Sequence, residues 1–161
     1  MVSDALVQYL QAKVIFSGPL KVFQLCKTHP KHTMTYELGT ICSLIDEALN
    51  DLHQTKPRGS NPYEGQCYIA SATLKKFFGR SLMLYRTKDH TNQYHWWVET
   101  KDGQVIDLTG KQYELIGVPV PSIDQAAAFK QKQSYLGFTS YKKRVAELQS
   151  LVEQKLAGLH K

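Results

Sequence analysis

Tyr94-His95-Trp96-Trp97-Val98-Glu99-Thr100, then Lys101-Asp102-Gly103, then Gln104-Val105-Ile106-Asp107-Leu108-Thr109: two runs rich in aromatic and β-branched residues flank an Asp-Gly turn signal, an order that spells a β-hairpin. Loop length decides what the hairpin can do. With a three-residue loop and Gly103 in the left-handed position, Thr100 pairs with Gln104 and Trp97 pairs with Asp107. His95 and Asp107 then become diagonal neighbours on one face, together with Trp97, Glu99 and Val105. Trp96, Val98, Ile106 and Leu108 fall on the other face and turn to the core. A two-residue turn at Asp102-Gly103 would instead send His95 and Asp107 to opposite faces.

Upstream, Gln66 to Phe78 reads as a helix with Cys67, Ala70, Leu74, Phe77 and Phe78 on one side and Gly79 where it stops. Cys67 falls in the first turn, where unpaired N–H groups and the macrodipole favour a thiolate. Gly65, just before it, permits a tight turn that aims the thiol outward. A rival helix start, the capping-box-like Asn61-Pro62-Tyr63-Glu64, would move Cys67 into the second turn and leave Gly65 inside the helix. The opposing reading of Cys67 is a core thiol, because it shares the apolar stripe of its own helix.

Further out the chain is helical again. Leu38, Ile41, Cys42, Ile45, Leu49 and Leu52 recur at helical spacing within Thr35 to His53, which makes Cys42 a core thiol. Asp4 to Lys13 reads as a short helix and Val22 to Cys26 as a strand. Gln54 to Pro62, where Pro, Gly, Ser and Asn cluster, is the linker-like stretch. Ser81 to Thr87 is a further strand. Ser122 and Ser140 are candidate N-caps of C-terminal helices, the last with Val145, Leu148, Val152, Leu156 and Leu159 as its buried stripe. The expected architecture is one α+β domain over residues 1–161: a mainly helical front (1–53), a mixed core (61–115) and C-terminal helices (122–161).

Composition bounds the function. The 161 residues contain 42% hydrophobic and 11% aromatic side chains, enough for one folded globule. Apolar stretches are interrupted well short of the roughly 20 residues a membrane span needs. Met1 to Lys13 has no basic region leading into an apolar core and cleavage site, so a cytoplasmic protein with no membrane partner is expected. Three cysteines, Cys26, Cys42 and Cys67, are an odd number that argues for reduced thiols over a disulfide framework. The net charge of +6 serves solubility and also admits a nucleic-acid surface around Lys75, Lys76, Arg80, Arg86 and Lys88, although no binding motif accompanies it. Lys142-Lys143-Arg144 reads as a solvated face. Cys26, His29 and His32 lie within seven residues, but Pro30 interrupts them and no second ligand pair follows, so no metal and no cofactor are expected.

What remains is a helix-borne Cys67 followed by strand-borne His95 and Asp107. That is the set a thiol nucleophile needs: a base for its proton and a carboxylate to hold the base's tautomer. His90 is the rival base, but Lys88-Asp89-His90-Thr91-Asn92 reads as an exposed turn.

This order resembles the papain-like and transglutaminase-like superfamily. His95-Trp96-Trp97-Val98-Glu99 is similar to its His-x-Trp-x-Glu signature and Ile106-Asp107-Leu108-Thr109 to its Asp-x-Thr element. Within it, Gly65-Gln66-Cys67, His95-Trp96-Trp97 and Asp102-Gly103-Gln104-Val105-Ile106-Asp107-Leu108-Thr109 resemble small bacterial and phage proteins of YunG type. The likeness covers about Asn61 to Tyr113. It implies a papain-like fold in which the catalytic helix packs on an antiparallel sheet, and a thiol-dependent hydrolase or acyl transferase working on amide bonds of a protein or peptide substrate. Papain-type enzymes place an oxyanion-stabilising Gln several residues before the nucleophile, where this chain has Asn61. Asn61 and Gln66 are therefore candidate oxyanion donors beside the backbone amide of Cys67, and Trp97 a candidate cleft wall. Two readings of other classes stand beside this one: a papain-fold binding or inhibitory protein without catalysis, and a basic nucleic-acid module.

Overall fold

A computed structural model describes residues 36–123, 129–130 and 139–159. The expected Asp4 to Lys13 helix, the Val22 to Cys26 strand and the Cys26-His29-His32 cluster lie outside these residues, as does any helix opened by Ser122.

Helix α1, Leu38–Thr55, buries Leu38, Ile41, Cys42, Leu44, Ile45, Ala48 and Leu49, the three-and-four spacing of an amphipathic helix. It closes with the Lys56 N–H donating to the Leu52 carbonyl at 2.7 Å, just before Pro57, which has no N–H to continue the ladder. Helix α2, Cys67–Phe78, is apolar nearly all round: ten of its twelve residues are buried, Lys76 is exposed, and Lys75 folds back to donate to the Gly79 and Leu82 carbonyls. A helix of that kind belongs inside a fold, and α2 packs against α1, the sheet and the C-terminal helix α4, Thr139–Leu159. Gly79, at φ 56°, ends it in a conformation that costs a side-chain-bearing residue about 1 kcal/mol.

The polypeptide then crosses a 3-10 turn, Gly79–Ser81, into β1, Leu82–Lys88, and returns as β2, Tyr94–Thr100, with Thr87 opposite His95 and Tyr85 opposite Trp97. The Val105–Ile106 strand, β3, follows, then a single helical turn, α3, Lys111–Glu114, and the Phe129–Lys130 strand, β4. All pairings are antiparallel and the order across the sheet is β3-β2-β1-β4.

The β2–β3 turn fixes the register. Gly103 sits at φ 86°, its N–H donates to the Thr100 carbonyl at 3.1 Å, and the Thr100 N–H donates to the Gln104 carbonyl at 2.9 Å. Val98 faces Ile106 and Glu99 faces Val105. This is the three-residue loop. Trp96, Val98, Ile106 and Leu108 accordingly join the helices in the main hydrophobic core, while Trp97 and Tyr85 are buried outside it.

Three expectations need correcting. The second arm of the hairpin was expected to run from Gln104 to Thr109, but regular pairing covers Val105–Ile106 alone. Asp107 instead turns the chain, its Oδ1 accepting the Thr109 N–H at 3.0 Å. Ser140 lies inside α4, not at its cap. Of the expected α4 stripe, Val145, Leu148, Val152 and Leu156 are buried, whereas Leu159 is 63% exposed.

Candidate active site

The approach to Cys67 is built from both of the competing signals around it. Asn61 Oδ1 accepts the N–H groups of Tyr63 and Glu64, at 3.0 and 3.1 Å. Glu64 reaches back to the Ser60 N–H at 2.6 Å. The capping-box residues thus form a separate turn, anchored by the Tyr63 hydroxyl donating to Asp46 at 2.8 Å. Gly65, at φ 65°, then breaks direction, and α2 starts afresh at Cys67. Gln66, at the N-cap, makes no side-chain hydrogen bond to the first turn of α2.

Cys67 is 9% exposed, and its Sγ lies 3.5 Å from the Tyr94 carbonyl oxygen. Tyr94 is the neighbour of His95, so the thiol lies against the backbone that carries the imidazole. Cys42, the other described thiol, is fully buried on α1, and burial pushes it up to about 12; it is a core residue, as its spacing foretold.

His95 is 0% exposed, and its Nε2 lies 2.7 Å from Asp107 Oδ2, on a carboxylate whose side chain is 4% exposed. Burial alone would drive the imidazolium off its proton. Hydrogen bonds to Asp107 and the Cys67 sulfur, and the charges on both, outweigh that penalty and raise the His95 pKa from 6.5 to about 9. With Nε2 facing Asp107, Nδ1 is the nitrogen left for other partners, and the Gln112 amide lies 3.4 Å from it. The ring is gripped on two sides: Trp97 stacks on it at 6.3 Å and Tyr113 meets it edge-on at 5.1 Å. Tyr113 is itself tied down, its hydroxyl donating to Asp89 at 3.2 Å. Asp107 is held by the Thr109 N–H, and Gly110 leaves it room, since a Cβ there would lie 2.9 Å from Asp107 Oδ2.

The structure therefore brings Cys67, His95 and Asp107 to one corner of the fold, with the pairing carried by the hairpin and the thiol by the helix. The other sequence candidates land differently. Trp97 is fully buried between Tyr85 and His95; it braces the imidazole and does not wall a cleft. Gln66 turns its Oε1 to Arg144, which donates at 2.8 Å. Asn61 spends its carbonyl oxygen on the turn, and its Nδ2 has no partner among the described residues. His90 is exposed, its ring edge against Tyr113.

Four contributors escaped the sequence reading. Gln112 and Tyr113 sit three and four residues past Thr109, the spacing that turns side chains of a first helical turn back toward its start; the Asp-x-Thr element running into Gly110 was the available signal. Gly110 was not singled out. Arg144, read as part of a solvated run, donates to the Gly65 carbonyl at 3.1 Å as well as to Gln66, and nothing in its local sequence marks it.

The class these features define is an α+β fold in which a buried helix presents a cysteine at its mouth to a histidine–aspartate pair on an antiparallel sheet. A family model described as YunG protein matches residues 47–157. The chain belongs to the YunG family. No curated protein and no solved structure matches it. Among the described residues no helix is long and apolar enough to cross a membrane, and no group of three or more His, Cys, Asp or Glu side chains is arranged to hold a metal ion.

Proposed function

We propose that the chain is a thiol-dependent hydrolase or acyl transferase of papain-like or transglutaminase-like type, acting on amide bonds of a peptide or protein. The observation that carries this reading is the enclosed His95–Asp107 pair, 2.7 Å apart, beside a cysteine at an uncapped helix start. A structural ion pair has no need of a thiol at its side, and a core thiol has no need of an imidazole.

In this reading Cys67 Sγ attacks the acyl carbon as a thiolate, and its proton resides on His95, which is charged at neutral pH. The carbonyl oxygen becomes an oxyanion and is received by the Cys67 backbone N–H, with the amide hydrogens of Asn61 as a second donor. Collapse of the tetrahedral adduct breaks the C–N bond, and His95 passes its proton to the departing amine. Water or an amine then attacks the thioacyl carbon, gives its proton to His95 and returns the thiolate. Asp107 keeps Nε2 engaged, so that the same ring nitrogen faces the sulfur throughout.

Iodoacetamide near pH 7, followed by peptide mapping, tests the nucleophile. Cys67 is expected to alkylate ahead of Cys42 and Cys26, and His95→Ala to slow it. Intact-mass analysis with acyl-reactive probes should show one adduct that disappears in Cys67→Ala. Equal alkylation of all three thiols, or an adduct that survives Cys67→Ala, defeats the reading.

A further inference from the structure

Behind the start of α2 lies a cation-rich cleft that the acyl-transfer chemistry does not use. His53, Lys56, Arg58, Gln66, Arg144 and Glu147 are on its wall. Glu147 is the one carboxylate there among the described residues, and it is engaged with Lys56, 2.6 Å from its Nζ. Arg144 has two neutral acceptors, the Gly65 carbonyl and Gln66 Oε1. His53 Nδ1 is buried with no partner among the described residues.

Two guanidinium groups therefore line one cleft, and among the described residues the one carboxylate beside them, Glu147, is bonded to Lys56. Burial first, and then the charge of Arg58, push Arg144 below the usual arginine value, against opposing pulls from Tyr141, Cys67 and Glu147. Arg58 is exposed and Arg144 is half-buried, and two like charges at the rim of one cleft favour an anion between them. The planar forks of two arginines are suited to the oxygens of a carboxylate or phosphate, each able to give a charge-assisted, bidentate contact. The position of the cleft adds the second half of the argument. Gln66, the residue before Cys67, is part of its wall, and the Cys67 sulfur is near enough to Arg144 to act on its charge.

We infer that this cleft is an oxyanion subsite, in which Arg58 and Arg144 receive a carboxylate or phosphate carried by the molecule that Cys67 acts on. The inference rests on the acyl-transfer reading, because it takes Cys67 as the point of attack; it adds that the substrate is acidic close to the scissile bond. It also gives Arg144 two tasks, since the anion and Gln66 Oε1 would compete for its hydrogens.

The test compares iodoacetate with iodoacetamide on the full chain, two alkylators with the same reacting carbon that differ in charge. The measured quantity is the ratio of their rates at Cys67. Wild type is expected to favour iodoacetate more than N-acetylcysteine does under the same conditions. Arg58→Gln, at an exposed position, should lower the ratio by about threefold or more, and Arg58→Gln with Arg144→Gln should lower it further. Added sodium chloride should shrink the wild-type preference. At matched ionic strength, acetate or inorganic phosphate should protect wild-type Cys67 from iodoacetate and fail to protect Arg58→Gln. Protection by acetate alone assigns the subsite to carboxylates, and protection by phosphate alone to phosphates. If the double variant does not fold, Arg58→Gln decides the matter. An unchanged ratio in Arg58→Gln, or protection by neither anion, overturns the subsite while leaving the reactive thiol intact. Failure of both reagents to prefer Cys67 over Cys42 overturns the acyl-transfer reading instead.

Discussion

Replacing Asp107 by Asn keeps the size of the side chain and removes its charge, and the consequence can be worked from the geometry. In the wild type the enclosed carboxylate, 2.7 Å from Nε2, is a principal reason that His95 holds its proton up to about pH 9. At about 1.4 kcal/mol per pH unit, the distance from 6.5 to about 9 corresponds to ~3 kcal/mol. Because the pKa is raised on folding, this contribution is fully present below pH 6.5 and is lost as pH rises through about 9. In Asp107→Asn the burial penalty on the imidazolium faces no carboxylate, so His95 should be neutral at pH 7. Urea denaturation of both proteins at intervals from pH 6 to 9.5 measures the difference, since all other titrating groups are common to the pair. The stability advantage of wild type over variant should shrink by about 2 to 3 kcal/mol across that range. Repeating the comparison in a Cys67→Ala background removes the sulfur's share and should leave the larger part in place. Parallel stability profiles for wild type and Asp107→Asn would refute the claim that the carboxylate sets the charge of His95.

Gly110→Ala should push Asp107 off Nε2, because the added carbon would meet its Oδ2 at 2.9 Å; alkylation of Cys67 should slow while far-ultraviolet circular dichroism stays unchanged. Leu148→Ala, at a fully buried position in α4, should cost about 2 to 5 kcal/mol in a denaturant titration, whereas Leu159→Ala, 63% exposed, should change stability by less than about 0.5 kcal/mol.

Much of this site was legible because it depends on periodicities that a sequence displays openly. The alternation through Trp96, Val98 and Ile106, broken by Gly103, favoured the three-residue loop over the two-residue turn, and with it the shared face of His95 and Asp107. The helix start at Cys67 could be read from Gly65, although the rival Asn61–Glu64 signal was also real; it specifies a turn of its own, and the two coexist because Gly65 takes a positive φ between them. What could not be read is whatever depends on long-range packing. Trp97 was expected at a cleft and is buried, since alternation gives the face of a sheet but not what covers it. Arg144 reads as surface because its partners, Gly65 and Gln66, lie nearly eighty positions away, and Leu159 keeps the spacing of α4 yet is exposed.

That separation has a temporal side. The thiol, the imidazole and the carboxylate all leave the ribosome well before Arg144, which arrives 79 positions after Gly65. Until α4 docks, the face of α2 that it covers and the acceptors on Gly65 and Gln66 lack the partners that α4 brings. A nascent chain therefore carries Cys67, His95 and Asp107 before the arginine that bonds the approach to α2 has been made.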